Sequence, residues 1–215
     1  DIVIDPSGSD VDPTKEERLA LAAAEPDDLT FGSDQIVVSQ REDVDIQAGG
    51  AVTAQVTRSG SDVFLGGQTD INLESIAGGT VRVKTDGSVH TANPDEVVLE
   101  GQRVILESGN GAVGQAATPL ALNVGGRLTA RGNDGGYLRH SNPLTLQRLV
   151  SGADVGLTVG GALTPYADQG IDIAASGGVS LDVAGDVAAA QEPLDIDSGP
   201  IGLAVGGGAW LAGQP

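Results

Sequence analysis

Short aliphatic strands recur along this chain at a nearly constant spacing, and this recurrence limits the folds that the chain can adopt. The predicted strand starts are Val44, Val63, Val81, Val97, Leu120, Tyr137, Val155, Ile171 and Leu194. Their nearly fixed period is typical of a solenoid, in which each winding pairs only with its neighbours. Within each strand, aliphatic and polar residues alternate, so one face is buried, and we expect Val81, Val97 and Val155 to point inward.

Glycine pairs separate many of these strands, at 49–50, 78–79, 125–126, 160–161, 177–178 and 206–207. Glycine adopts the positive φ that a tight corner needs. Stacked windings rise by ~4.8 Å each, so about nine coils would form a rod roughly 40–50 Å long. We therefore predict an all-β fold, a parallel β-helix of about nine coils, as a single segment over residues 1–215.

A longer repeat of about 74 residues lies on top of this period. Residues 71–76 match 144–149 at an offset of 73, and 111–113 match 185–187 at an offset of 74. The sequence thus predicts internal super-repeats at 44–118 and 120–193, with a third copy starting near 194. An antiparallel sandwich, the rival all-β fold, would account for the strands and turns but not for this repeat.

The N-terminal stretch departs from the strand pattern. Thr14-Lys-Glu-Glu17 is a capping box before Leu19-Ala-Leu-Ala-Ala-Ala24, and Pro26 follows. These signals predict a short helix within a loop insertion over residues 5–30. A loop on a rigid scaffold is also the most plausible interaction element of the chain.

Charge and composition narrow the function. The formal net charge is −19, and aromatic residues make up 2% of the chain. Such acidity disfavours nucleic acid and anionic membranes as partners, and the arginines form no basic patch in sequence. The absence of cysteine excludes disulfides and thiolate metal sites. No apolar run approaches the ~18 residues that a membrane-spanning helix needs.

The segment 106–122 carries the most specific pattern in the chain. It runs from an aliphatic strand through Gly-Asn-Gly, Val-Gly and small residues to Pro-Leu, and Val-Gly-Gly-Arg-Leu-Thr-Ala follows at 124–130. This order resembles the rod repeats of filamentous-haemagglutinin-like adhesins, large bacterial exoproteins of two-partner secretion.

The resemblance implies a right-handed β-helix and an internal piece of a stalk in a secreted or cell-surface adhesin. It implies attachment or spacing rather than catalysis, with the remainder of a longer β-helical polypeptide as partner and an unknown receptor. We expect the isolated segment to associate end to end through its exposed coil edges. The alternative function is a carbohydrate-active or carbohydrate-binding β-helix.

Acidic pairs and histidines are the residues that enzymatic chemistry would use. Asp43/Asp45 and Asp195/Asp197 alternate outward, and we expect them to be solvated. We expect His90 and His140 at the surface, each near an Asn-Pro turn. We assign no catalytic, cofactor-binding or metal-binding residue and no cofactor, and we predict that the chain is not an enzyme.

Three further segments have an ordinary structural interpretation. Gly132-Asn-Asp-Gly-Gly136 resembles one calcium-binding nonapeptide, but that motif works by repetition, so a plain turn is expected. The acidic stretch Asp5–Asp12 lacks the glycine and closing glutamate of an EF-hand and is interpreted as a solvated loop. Trp210 is expected to pack on a following coil.

Overall fold

A computed structural model describes residues 44–48, 52–56, 62–91, 93–167 and 170–213. This part of the chain is all β without a helix, and its strands pair in parallel as a β-solenoid of about six turns. The antiparallel sandwich is therefore excluded. The strands are β1 (Val44–Ala48), β2 (Val52–Val56), β3 (Val63–Gly67), β4 (Ile71–Thr85), β5 (Val89–Thr91), β6 (Leu99–Ser108), β7 (Leu120–Gly132), β8 (Gly136–His140), β9 (Leu144–Ser151), β10 (Val155–Val159), β11 (Leu163–Pro165), β12 (Ile173–Ala175), β13 (Val179–Val183), β14 (Leu194–Asp197), β15 (Ile201–Val205) and β16 (Leu211–Gly213).

Two parallel ladders run along the solenoid and form its main walls. The first wall contains β2, the beginnings of β4, β6 and β7, and then β5, β8, β10, β13 and β15. The second wall contains β1, β3, the ends of β4, β6 and β7, and then β9, β12, β14 and β16. A shorter ladder joins β9 to β11 and continues through single bridges at Val187 and Ala209.

Aliphatic side chains stack between the walls, winding upon winding. In the second wall, Val83, Leu106 and Ala130 are in register, and each is 0–1% exposed. Identical backbone geometry in successive windings brings similar side chains into contact, so a narrow core can be filled without large rings. This stacking accounts for the low aromatic content.

The winding at Val97 differs from the prediction. Val81 pairs with Val104, and Val97 is 45% exposed, so the predicted inward position of Val97 is wrong. Val98 and Leu99 are the buried residues there, because residues 93–96 form a turn that shifts the alternation by one position. The winding from Val81 to Val104 is consequently longer than the preceding one, from Val63 to Val81.

Long and short windings alternate irregularly, which affects the predicted coil number. The step from Ile71 to Val89 is shorter than the next step in the same wall, from Val89 to Val113. Windings longer than the predicted mean spacing give fewer coils for the same chain length, and nine coils are not confirmed. The predicted helix within 5–30 lies outside the described residues.

The 74-residue similarity predicted from the sequence does not follow the ladders. Ile71 stacks with Val89 in the first wall, whereas its sequence match Leu144 stacks with Leu163 in the short ladder. Residues that match at this offset therefore lie on different sides of the solenoid, one in the first wall and the other in the short ladder. The super-repeats at 44–118 and 120–193 remain a prediction about the sequence.

The corrected register can be tested with two identical substitutions. Val104→Ala is expected to lower the free energy of unfolding by about 2 kcal/mol, because the side chain is fully buried in the stack. Val97→Ala is expected to cost less than about 0.5 kcal/mol. Urea denaturation of both variants measures the difference, and equal losses would contradict this register.

Candidate functional site

One polar network spans three windings on the outer face of the first wall. The His90 Nε2 atom lies 3.3 Å from an Asp70 carboxylate oxygen, and the Gln115 amide nitrogen lies 3.3 Å from His90 Nδ1. Thr118 Oγ1 is 3.4 Å from the Gln115 amide oxygen. Asp70, His90 and Gln115 are far apart in the sequence, and the stacking of windings brings them together.

The hydrogen-bond roles in this network are tied to one another. The Gln115 amide donates to Nδ1, so Nε2 carries the proton and donates to Asp70. The other Asp70 oxygen accepts from the Ser88 N–H at 2.7 Å. This backbone bond, reinforced by His90, lowers the pKa of Asp70 below its ordinary value. With both ring nitrogens engaged, His90 has no lone pair for a substrate proton, so the network ties windings together rather than forming a general base.

Carboxylates at the corners form a second recurring feature. An Asp side chain that directly precedes an inward aliphatic residue accepts a hydrogen bond from the backbone N–H of the next winding, and Ser88 does the same with its hydroxyl. Each bond satisfies a corner N–H and joins successive windings. The pairs are Asp62–Thr80, Asp70–Ser88, Ser88–Ala112, Asp154–Gly178, Asp172–Asp195 and Asp186–Gly208, at 2.7–3.1 Å.

These corner bonds should contribute to stability. Asp154→Ala removes the acceptor that lies 2.7 Å from the Gly178 nitrogen, and we expect a loss of about 1–2 kcal/mol of unfolding free energy. Asp154→Asn keeps an acceptor and should lose less than about 0.5 kcal/mol. Asp182→Ala, on an exposed outward position of β13, is the matched control. Equal stability of the Asp154→Ala and Asp182→Ala variants in urea would refute the contribution.

His140 is buried, contrary to the predicted surface position. It is 1% exposed and is in register with Leu122 and Val159 of the first wall. The Val124 N–H donates to Nε2 at 2.9 Å, so Nδ1 carries the proton and donates to the Asn142 carbonyl at 2.8 Å. The ring fills an inward position because the backbone on both sides supplies its partners.

The predicted acidic pair Asp195/Asp197 has a third member, which sequence alternation did not reveal. Asp172, 4% exposed, precedes the inward Ile173 and accepts from the Asp195 N–H at 2.9 Å. Burial raises the pKa of Asp172 above its ordinary value, and the carboxylates of Asp195 and Glu192 add to the rise, while the backbone bond opposes it. Asp195 is half-buried and Asp197 is exposed, so only Asp197 is fully solvated as expected.

The raised pKa of Asp172 predicts a specific pH dependence. Folding disfavours the ionised form, so the stabilising contribution of this group is complete below the unfolded-state pKa of about 3.9 and is lost as the pH rises through the folded-state value. Asp172→Asn keeps an acceptor for Asp195 and should be more stable than the parent at pH 7.

The advantage of Asp172→Asn should shrink as the pH falls from 7 through the raised pKa of Asp172, because the parent carboxyl then becomes protonated and neutral as well. Thermal unfolding across this range measures it. Asp182→Asn removes one negative charge at an exposed position and controls for general charge relief. An Asp172→Asn variant that is less stable than the parent at pH 7 would contradict the assignment.

A shallow groove of about 530 Å³ lies on the outer face of the first wall. Tyr137 borders it, and small or polar residues of β10, β13 and β15 form its floor. A Cβ atom on Gly156 would lie 2.9 Å from the Tyr137 ring, so glycine there gives the ring room against the next winding. Gly114, in the loop between β6 and β7, has a φ of +72°, and a Cβ atom at this position would collide with the Tyr137 carbonyl oxygen. Glycine therefore allows this loop to lie directly against the Tyr137 backbone.

The remaining predicted segments are partly described. Gly132–Gly136 forms a turn that leads into β8, as expected. Trp210 is 41% exposed, and the packing predicted for it on a following coil stays a prediction. Asp43 and the segment 5–30 lie outside the described residues, as does the side chain of Asp45.

Two kinds of feature are absent from the described residues. No group of three or more His, Cys, Asp and Glu residues in this part of the chain is arranged to hold a metal ion. The same part contains no helix of the length and apolar character that crossing a bilayer requires.

Comparisons with known proteins identify no relative of this chain. No protein-family model matches the chain, and neither the curated proteins nor the solved structures include a match.

Proposed function

We propose that this chain is a rod or stalk segment of a large secreted or cell-surface bacterial adhesin, serving attachment or spacing rather than catalysis. The observation that carries the proposal is the parallel ladder of the second wall, which runs from β1 to β16. Backbone hydrogen bonds in such a ladder point along the long axis, so tension applied to the ends is shared by many bonds in each winding.

The core and corners are consistent with a mechanical role. The stacked interior is almost entirely aliphatic, and the corner carboxylates hydrogen-bond to backbone N–H groups of the next winding. The rod needs no disulfide, since the chain contains no cysteine. The proposed family, filamentous-haemagglutinin-like adhesins, builds its stalk from coils of this kind, and right-handed winding and an extracellular location belong to the same proposal.

The last winding supports continuation into further coils. Ile201 and Leu203 stack on Val179 and Leu181 of β13, yet they are 44% and 42% exposed. These apolar side chains continue the stacked core, and a further winding placed on them would bury them. In our proposal, that winding belongs to a longer polypeptide. In isolation, the same surface favours end-to-end association.

Mechanical extension is the direct test of the rod. The chain, attached through handles at the exposed residues Gln68 and Gly213 in an optical trap, should keep a constant length between the handles at forces that already extend a flexible linker of equal residue number. It should then lengthen in discrete cooperative steps. Gradual extension from the lowest forces, like that of the linker, would refute the rod.

The groove at Tyr137 favours a second candidate, a carbohydrate-binding β-helix. An aromatic ring beside Thr158 and Ser180 offers both a stacking surface and hydroxyl partners to a sugar. Saturable binding on a polysaccharide array that Tyr137→Ala abolishes would favour this candidate over a pure spacer. A Tyr166→Ala variant, which alters an exposed aromatic outside the groove, is the control.

A further inference from the structure

The outer face of the second wall gathers nearly all the positive charge of the described chain. Six of the seven Lys and Arg residues within 62–213 lie there, on strands β4, β6, β7 and β9. The seventh, Arg139, lies on the first wall and donates to the Pro94 carbonyl. We call the six residues the basic half: Arg82, Lys84, Arg103, Arg127, Arg131 and Arg148.

The same face becomes acidic further along the axis. Arg148 precedes Leu149, which is in register with Ile173, so Asp172 follows Arg148 in one outward column. In the neighbouring column, Val150 is followed by Ala174 and then by Asp197. Glu192 and Asp195 lie near Asp172. We call these four residues the acidic half: Asp172, Glu192, Asp195 and Asp197.

Both halves contain groups whose charge is poorly compensated. Within the described chain, the buried Nε atom of Arg103 has no hydrogen-bond partner. Arg82 does pair with a carboxylate, that of Glu107 at 2.7 Å, but both side chains of this pair are partly exposed. In the acidic half, burial raises the pKa of Asp172, and the carboxylates of Asp195 and Glu192 add to the rise. Arg103 Nε and Asp172 are themselves buried, so a complementary surface would contact the exposed charges. These are Lys84, Arg131 and Arg148 on the basic half and Glu192 and Asp197 on the acidic half.

We propose that two copies of this chain pair side by side and antiparallel through the second wall, the basic half of each against the acidic half of the other. A twofold axis perpendicular to the rod brings the two opposite halves together twice, so the contact closes as a dimer. Parallel pairing would place like charges opposite each other and is disfavoured.

The net charge of −19 does not prevent this contact at moderate salt. The Debye length is about 8 Å at 0.15 M ionic strength, so charges on the far sides of two rods are largely screened, whereas contacting pairs are not. We expect association near 0.15 M salt and dissociation near 1 M. End-to-end association through the apolar last winding would instead persist at high salt.

Charge reversal on each half gives a decisive test. Arg131→Glu/Arg148→Glu puts two negative charges into the basic half, and Asp195→Lys/Asp197→Lys puts two positive charges into the acidic half. Each double variant alone should show at least about a tenfold higher dissociation constant in analytical ultracentrifugation. An equimolar mixture of the two should form a heterodimer, because the reversed positions of one variant then face reversed positions of opposite charge on the other.

Three results would overturn the proposal. The first is parent-like association of either double variant, and the second is a mixture of the two that stays monomeric. The third is a parent chain that is monomeric at about 0.15 M salt but binds dextran sulfate, which would assign the basic half to an external polyanion. Arg139→Glu, a reversal outside the face, should associate like the parent. Circular dichroism and the unfolding midpoint verify that each variant is folded before association is compared.

Discussion

Replacing Leu106 with alanine is expected to lower the free energy of unfolding by about 3–5 kcal/mol, the largest loss that we predict for a single truncation. Leu106 is fully buried and lies between Val83 and Ala130 in the stack. The small Ala130 offers no side chain that could move into the space, and backbone ladders on both sides hold the windings apart. The vacated volume therefore remains a cavity.

Ile105→Ala is the matched control for this truncation. Ile105 is the adjacent residue of β6, and its side chain lies outward and partly exposed. Ile105→Ala should lower the free energy of unfolding by less than about 1 kcal/mol, because the Ile105 side chain buries less apolar area than the Leu106 side chain. Urea titration of both variants measures the difference. A loss below about 1 kcal/mol for Leu106→Ala would contradict the stacked core.

Replacing His140 with alanine is expected to cost about 3 kcal/mol of unfolding free energy. The substitution empties an inward position and also leaves the Val124 N–H without its acceptor inside the wall. The two losses arise from different physical causes, packing and hydrogen bonding, and a second variant separates them.

His140→Leu restores the apolar volume of the ladder positions Leu122 and Val159 but supplies no acceptor. It should recover part of the stability and remain about 1–2 kcal/mol below the parent, the expected cost of the unpaired N–H. Hydrogen exchange at Val124 should accelerate in both variants. A His140→Leu variant as stable as the parent, with unchanged exchange, would show that the hydrogen bond contributes nothing.

The strand pattern was predictable because it depends on local alternation. The inward positions Val63, Val81 and Val155 follow directly from the sequence and are buried in the structure. Val97 lies outward, contrary to the prediction, because the turn before it shifts the alternation, and a shift by a single position exchanges the two faces of a strand. The length of each winding depends on such turns, so the coil number was the least predictable feature.

The polar sites were less predictable than the strands. His140 has no local signal for burial, since its partners come from the peptide groups of Val124 and Asn142. The corner carboxylates do have a local signal, an Asp directly before a Val or Ile that begins a strand or a β-bridge, as in Asp154-Val155 and Asp186-Val187. Alternation alone does not separate such a carboxylate from a solvated one, because Asp172 between Ile171 and Ile173 has the same outward pattern as Asp195 and Asp197.

The sequence by itself determined that the chain is β, periodic and built on an aliphatic core, because alternation and glycine corners act over short distances along the chain. Only the tertiary structure decided which residues of different windings meet. Arg82 and Arg148 are far apart in sequence, and the stacking of four strands places them on one face. Register between windings depends on the length of every intervening turn, and that sum is a property of the folded solenoid rather than of any local segment.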